Sequence, residues 1–389
     1  MNTDTLGRIN SVSQMRARAR RTLPRAVFDL ADGAAEDEWT VHRNESAFDD
    51  IALLPKPLDG AATRDLSLTL FGHRLSMPVL IGPTGLSGLF WPDGERCAAR
   101  AAKAAGAGFC LSHASVCTLE GLAEVDVEPR YMQIFIYRDR GFTRELADRA
   151  AAAGYHGLIL TIDNQFPGNR ERDLKNGFNI PPRLGPVQVA GMAIKVGWLW
   201  RMRHALRGVG FANYVRDGKK MELPPRNVRV AELFDPGMSW ADVEELKKHW
   251  KGPLILKGVL HPDEGRAAAD HGVDAVIVSN HGGRQLDGAA SAIEALPGVV
   301  AAVDERIPVL IDGGIRRGVD AVRALCLGAT ACLIGRPQLW GLSVAGEAGV
   351  ARVLEIYRSE IDRVMGLCGV SRLADLGPDL VLNPPLPRS

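Results

Sequence analysis

From Met77 onward the chain repeats one short theme: an apolar run, a polar or glycine-bearing turn, an alanine-rich helical stretch, then the next apolar run. The runs are Val79 to Ile81, Gly108 to Leu111, Tyr131 to Phe135, Leu158 to Ile162, Leu254 to Leu256, Ala275 to Val278, Val309 to Ile311 and Ala331 to Ile334. Between them, Glu95 to Ala105, Thr143 to Ala153, Asp263 to His271 and Val319 to Leu327 carry helical patterns. Such alternation implies parallel strands joined by right-handed crossovers, and eight units of it predict an α/β fold, the (β/α)8 TIM barrel. A dinucleotide-binding fold is the structural competitor, but no Gly-x-Gly-x-x-Gly follows any of the runs, which disfavours it.

The remaining segments are read as additions to one domain spanning 1–389. Residues 1–60 form an N-terminal helical cap: 11 to 50 read as helical, with Pro24 at a helix start and an acidic run at Glu36, Asp37 and Glu38. Residues 183–228 form an insertion between strands four and five. It holds Val189 to Ile194 and Trp198-Leu-Trp200, with Lys195, Arg201, Arg203 and Arg207 interspersed. The segment is too short and too charged to span a bilayer; its aromatic and basic mixture suits an interfacial segment, and equally a mobile lid or an oligomer contact. With a formal net charge of +1, the chain has no overall bias toward nucleic acid. Six scattered cysteines without C-x-x-C spacing argue against a disulfide framework and against a zinc site, so no metal is expected. The N-terminus carries Arg16, Arg18, Arg20, Arg21 and Arg25 on an amphipathic pattern instead of a signal-peptide order. A cytoplasmic location follows, peripheral on the inner face of the cytoplasmic membrane if the insertion docks there.

In a barrel, functional groups collect at the C-terminal ends of the strands. After strand one come Pro83, Thr84 and Gly85; strand two ends in Ser112, strand three carries Gln133, and strand four ends in Thr161 and Asp163. Lys257 follows strand five, and after strand seven come Asp312, Gly314 and Arg316, after strand eight Gly335 and Arg336. Strand six opens into Ser279-Asn-His-Gly-Gly-Arg-Gln-Leu-Asp287, where two glycines permit a sharp turn, His281 offers a proton acceptor, and Arg284 a bidentate carboxylate binder. Hydroxyl and amide groups can bond the edge of a flat heteroaromatic ring, a lysine can hold negative charge developing on it, and the last two loops of a barrel form a phosphate cradle. The set therefore implies a phosphorylated heterocyclic cofactor. For Asp163 alone, a strand-end turn is as good a reading as a chemical role.

These motifs carry a resemblance. Ser279 to Gln285, Asp312-Gly-Gly-Ile-Arg-Arg-Gly318, Leu333-Ile-Gly-Arg336 and Pro83-Thr-Gly85 look like the FMN-dependent L-2-hydroxy acid oxidase and dehydrogenase family, which includes glycolate oxidase, lactate dehydrogenases and (S)-mandelate dehydrogenase. The match runs in order from about Leu23 to Val370. Within it, Ile81 to Leu86 with Trp91-Pro92, and Asn169-Arg-Glu-Arg-Asp173, are most similar to the mandelate dehydrogenase pattern. The resemblance implies FMN as cofactor and a small-molecule 2-hydroxy acid as substrate, with quinone or oxygen as electron acceptor and a homotetrameric assembly. It makes His281 the base paired with Asp163, and Arg170 with Arg284 the carboxylate clamp. It assigns Thr84, Ser112, Gln133, Thr161 and Lys257, in the neighbourhood of Pro83, Gly85 and Ser279, to the isoalloxazine ring and ribityl chain, and Asp312, Gly314, Arg316, Gly335 and Arg336 to the ribityl and phosphate end.

Two positions depart from the family. Its Leu-Pro-x-x-Val-Tyr-Asp-Tyr segment stands here as Leu23-Pro-Arg-Ala-Val-Phe-Asp-Leu30, and its Gln-x-Tyr as Gln133-Ile-Phe135. Leu30 and Phe135 thus replace tyrosines that point hydroxyls at the substrate, which predicts a preference for a bulkier, apolar or aromatic side chain on the hydroxy acid. Gly85 stands where many oxidases of the family carry alanine, which leans toward a dehydrogenase. Two further readings stay open: the same fold and FMN acting on a modified substrate in a biosynthetic pathway, and a flavin-binding protein with little turnover. Retention of His281, Asp163, Arg170 and Arg284 argues against the last.

Overall fold

A computed structural model describes residues 6–59, 61–177, 191–216, 219–220 and 233–383. Three helices lead, α1 (Val12–Thr22), α2 (Arg25–Asp32) and α3 (Trp39–Ser46). In α1 the buried positions are Val12, Met15 and Ala19, one stripe at helical spacing, and Ser11 caps the helix by accepting from the Gln14 N–H. Pro24, which cannot continue α1, stands as the N-cap of α2. A hairpin of β1 (Leu68–Leu70) and β2 (His73–Leu75) follows, and then β3 (Val79–Ile81), β4 (Phe109–Ser112), β5 (Arg130–Ile134) and β6 (Gly157–Thr161). The insertion carries the short pair β7 (Val215–Arg216) and β8 (Lys219–Lys220). The barrel resumes with β9 (Leu254–Val259), β10 (Ala275–Val278), β11 (Val309–Asp312) and β12 (Ala331–Ile334). Eight parallel strands close in the order β3, β4, β5, β6, β9, β10, β11, β12 and back to β3, the expected (β/α)8 barrel.

Alternation along the strands separates two cores. Leu80, Cys110, Tyr131, Ile159, Ile255, Ile277, Leu310 and Leu333 form an inner cluster, joined by Leu70 and Leu75 of the β1–β2 hairpin. Their neighbours Leu111, Met132, Leu160, Leu256, Val276 and Ile311 belong to the larger cluster shared with the helices. Two residues further along the inward rows the chemistry changes, to Ser112, Gln133, Thr161, Lys257, Ser279 and Asp312. The register aligns them: Ser112 pairs with Gln133, and Thr161 with Lys257. A polar layer therefore lies on an apolar one at the C-terminal end of the barrel.

The strand boundaries move by one residue at β4, β5, β6 and β11, while β9 runs on to Val259 where the apolar run ends at Leu256. The inward positions of β9 turn polar at Lys257, which hides the rest of the strand from a hydrophobicity pattern. The pairing of β9 with β10 is irregular there: Ile277 faces Lys257, and Val278 faces Val259. Gly258, skipped by that register, has φ +109°, and a Cβ on it would stand 2.8 Å from Cβ of Asp163. In the insertion, 183–190, 217–218 and 221–228 lie outside the described residues, as do 1–5 and 60 of the cap. The described part contains a helix, Val196–Met202, with Trp198 and Met202 buried.

The cap is pinned to the C-terminal end. Asn44 of α3 and Asn280 after β10 exchange a reciprocal pair of 2.8 Å amide hydrogen bonds, and Asp287 accepts from the Trp39 and Thr40 N–H groups at the start of α3. Gly314 sits so close to α3, at φ +81°, that a Cβ would lie 1.8 Å from the Asn44 carbonyl oxygen. Gly314→Ala is expected to cost about 3 kcal/mol through this clash in addition to its backbone strain. Gly272→Ala, at φ +73° with open space around it, carries the strain alone and should cost about 1 kcal/mol. Denaturant unfolding of the two variants checks this; equal losses would rule out the cap contact as the cause.

Candidate active site

The polar layer is organised around Lys257. Its ammonium is buried, 3.0 Å from Asp312 Oδ2 and 2.9 Å from Ser279 Oγ. Burial opposes the charge, yet Asp312 and Asp163 outweigh it and hold the pKa above the ordinary lysine value. Thr161 Oγ1 and Asp312 Oδ1 are buried in the same layer without a hydrogen-bond partner. At the β3 end, Thr84 Oγ1 accepts from Gln338 Nε2 at 2.7 Å, while Gln338 Oε1 is likewise buried and unpartnered.

The loop after β10 carries a histidine in a left-handed conformation, φ +58° at His281, followed by Gly282 and Gly283 at +65° and +74°. Its backbone N–H donates to Ser279 Oγ at 3.1 Å, and its Nδ1 lies 3.0 Å from Asp163 Oδ1. Asp163 is brought there by the close passage of Gly258 and by Gln285, whose Nε2 donates to the Asp163 and Phe166 carbonyls. Burial pushes the His281 pKa down and, with help from Lys257 and Arg170, prevails over the pull of Asp163. For Asp163, burial alone would raise the pKa, but His281 and Lys257 hold it below the ordinary carboxylate value. At neutral pH the pair is therefore a carboxylate and a neutral imidazole. An ionised carboxylate only accepts, so the proton sits on Nδ1 and the lone pair on Nε2. The His281 side chain keeps 26% of its surface accessible, enough for a small molecule to reach it.

Two neighbouring guanidinium groups lie in this region, of which Arg170 is close enough for its charge to act on both members of the pair. Arg170 Nε donates to the Arg284 carbonyl at 3.2 Å, and Nη2 to Gln285 Oε1 at 3.1 Å. Arg284 Nη1 donates to the Leu30 and Gly33 carbonyls, at 3.0 and 2.9 Å. Burial first, and mutual repulsion second, pushes the Arg170 pKa down to about 9. Burial lowers Arg284 as well, against the attraction of Asp173 and Glu38; the Asp173 carboxylate is 4.0 Å away. Arg336 is in the same position: it donates to the Ala31 and Gly33 carbonyls, and burial with Arg284 and Arg316 beside it lowers its pKa to about 9. Partly buried cations gathered in this way, with carboxylates that only partly offset them, mark a place that attracts anions. Arg316 differs, being paired with Glu45 at 3.0 Å and lying over the Trp340 ring.

The residues singled out in sequence thus fall at one end of the barrel. Pro83, Thr84 and Gly85 lie in the turn after β3, where a Cβ on Gly85 would press on Ala114 at 3.2 Å. Gly335 stands at the N-cap of the helix Arg336–Ala345. Leu30 is half-buried and reaches Arg284 through its carbonyl. Phe135, just beyond β5, packs its ring edge-on against His113, 4.4 Å between centroids, and against Phe234. Sequence reasoning missed Gln338, His113 and the Asn44–Asn280 pair. The first stands two residues and the second one residue beyond positions already in the strand-end set, Arg336 and Ser112, and a wider window would have caught them. Asn44 and Asn280 are 236 residues apart with no local signal. Among the described residues, His73, Glu128 and His156 could by proximity hold a metal ion, but they precede or lie below the strands, at the opposite end. His156 Nδ1 there accepts from the Arg130 N–H, which leaves the proton on Nε2 and no lone pair for a cation.

A model of a family described as FMN-dependent dehydrogenase matches residues 19–383. An L-lactate dehydrogenase of Caulobacter vibrioides is 42% identical over 384 residues, 98% of this chain and 99% of that protein. One from Stenotrophomonas maltophilia is 40% identical over 97% of this chain and 100% of its own length. Among solved structures, a monotopic membrane protein, (S)-mandelate dehydrogenase, superposes with a TM-score of 0.89 at 36% identity, covering 97% of this chain and 100% of that one. A mandelate oxidase variant with (S)-mandelic acid superposes with a TM-score of 0.81 at 33% identity, covering 96% and 98%.

Because the Asp163 charge raises the His281 pKa against its other surroundings, removing that charge must lower it further. In Asp163→Asn, the His281 imidazole is expected to titrate at lower pH than in the unaltered protein, as followed by NMR of the ring nitrogens. An upward shift would show that the carboxylate is not what the imidazole senses.

Proposed function

The chain belongs to the FMN-dependent dehydrogenase family, and from that premise we propose that it oxidises an L-2-hydroxy acid with a bulky or aromatic side chain to the 2-keto acid. The observation that carries the reading is the Asp163–His281 pair, 3.0 Å apart, with two partly buried, neighbouring arginines close by. Arg170 and Arg284 grip the substrate carboxylate, where planar guanidinium groups fix its orientation as lysines could not. His281 takes a proton on Nε2 as the carbinol is oxidised, and Asp163 stabilises the imidazolium that forms.

The residues present fit FMN. Thr161 Oγ1, Asp312 Oδ1 and Gln338 Oε1 are polar, buried and unpartnered at one end of the barrel, where a polar ring edge and a ribityl chain would satisfy them. Ser112, Gln133, Thr84, Ser279 and Lys257 would border the ring, with Pro83 and Gly85 as the turn beneath it. Asp312, Gly314, Arg316, Gly335 and Arg336 would hold the ribityl phosphate, Arg336 being a cation with no direct ion pair among the described residues. Bound FMN supplies the two-electron acceptor; the protein supplies orientation, charge and the base.

The choice of substrate rests on Leu30 and Phe135. Neither offers a hydroxyl to the carboxylate or to an alkoxide, and both are apolar where a tyrosine would be polar, which favours a larger apolar side chain. The relatives by sequence include L-lactate dehydrogenases and those by structure include mandelate enzymes, so the two substrate sizes are the comparison to make. Anaerobic mixing with a panel of 2-hydroxy acids should bleach the flavin faster with mandelate or long-chain acids than with lactate. Faster bleaching with lactate overturns the preference, and no bleaching with any member overturns the activity.

A second element of the proposal concerns location. The insertion helix turns Trp200 outward, 68% exposed, beside Ile194, 76% exposed, and Val196, with Arg203 stacked on the Trp200 ring. No described helix is long and apolar enough to cross a membrane. An apolar face rimmed by Lys195, Arg203 and Arg207 suits the interface of an anionic bilayer, from which electrons would pass to quinone. Trp200→Glu combined with Ile194→Glu should move the protein from the membrane pellet to the low-salt supernatant; unaltered protein found wholly in that supernatant counts against docking.

A further inference from the structure

His113 follows Ser112 at the end of β4, is buried, and has no part in the chemistry above. Its Nδ1 lies 3.0 Å from Oε1 of Gln133 on the adjacent strand, and Ser112 Oγ lies 3.2 Å from the same oxygen. The orientation of that amide follows from its surroundings. Its other end stands 3.0 Å from the Ile134 carbonyl oxygen, which can only accept, so that end is the NH2 group. Oε1 must then accept from both neighbours. Ser112 Oγ already accepts from the Ala114 N–H, which leaves its proton for Gln133, and His113 must carry its proton on Nδ1. Burial pushes the His113 pKa down to about 4, so the ring is the neutral Nδ1–H tautomer.

The ring has little freedom to leave. Phe135, Tyr214 and Phe234 surround it with centroids at 4.4, 5.7 and 6.2 Å, its backbone N–H donates to the Gln133 carbonyl, and its own carbonyl accepts from Asn213 Nδ2. With both lone pairs of Oε1 used and one Nε2 proton bound to Ile134, the amide has a single hydrogen-bonding function left, the second Nε2 proton.

We propose that His113 is a positioning residue: by saturating Oε1 it obliges Gln133 to meet the flavin as a donor and never as an acceptor. A donor aimed at the isoalloxazine edge favours the electron-rich, reduced ring, so His113 raises the flavin potential without touching cofactor or substrate. The inference rests on the reading that Gln133 borders the ring.

His113→Asn keeps an N–H donor near the Nδ1 position, while His113→Leu fills a similar volume with none. Both are compared as FMN-loaded enzymes, with FMN content measured first. The Leu variant should show a lower midpoint potential and a kcat reduced about tenfold, with KM for the substrate within about twofold; the Asn variant should stay near the unaltered enzyme in both. Equal shifts in the two variants, or none in either, overturn the proposal. Should the Leu variant fail to fold, nitrogen NMR of the unaltered holoenzyme still decides: protonated Nδ1 with unprotonated Nε2 supports it, the opposite tautomer sinks it. A Gln133→Met enzyme whose flavin potential matches the unaltered one would instead show that Gln133 does not border the ring, a failure of the underlying reading and not of the His113 geometry.

Discussion

An ammonium group enclosed in a barrel of strands has to be answered by carboxylates, because an isolated charge in that environment costs several kcal/mol. Lys257 is answered by Asp312 from β11 and by the field of Asp163 beyond β6. Those two carboxylates come from strands on either side of it in the barrel, so the ion pair is satisfied only when β6, β9, β10 and β11 stand in the observed register. Asp163 is in turn the partner of His281, and Ser279, which accepts from Lys257, also holds the His281 backbone. The charge balance of one lysine thereby sets the position and the tautomer of His281.

The same inward rows of residues explain what could be read from the sequence. Runs such as Ala275 to Val278 are apolar on both faces because helices cover one side and the barrel interior the other, and that made all eight strands visible. The polar residues two positions further on were visible too, because Lys257, Thr161, Gln133 and Asp312 interrupt apolar patterns at equivalent places. Long-range matches left no such trace. Asn44 finds Asn280, Arg172 reaches Asp29, Asp32 and Glu38, and each of these pairs joins segments whose proximity only the closed barrel creates. His113 was hidden for another reason: a single histidine beside a serine has no periodicity, and its meaning comes from an amide on the next strand.

The insertion and the cap bear on the site differently. Tyr214 of the insertion and Phe234 just after it belong to the aromatic group around His113 and Phe135, so the insertion reaches the packed interior at Tyr214 even where its outer surface is apolar and exposed. The cap contributes main-chain oxygens. The carbonyls of Leu30, Ala31 and Gly33, at the C-terminal end of α2, accept from both Arg284 and Arg336, where the negative end of a helix dipole suits a cation.

Those contacts are made by the backbone at Leu30, and they do not depend on which side chain the residue carries. A position that holds an arginine with its carbonyl can exchange tyrosine for leucine, or leucine for something larger, with the guanidinium undisturbed. The side chain of that residue is thus free to vary while its carbonyl keeps hold of the guanidinium. A chain built this way can change the size of that side chain by single substitutions without releasing the arginine.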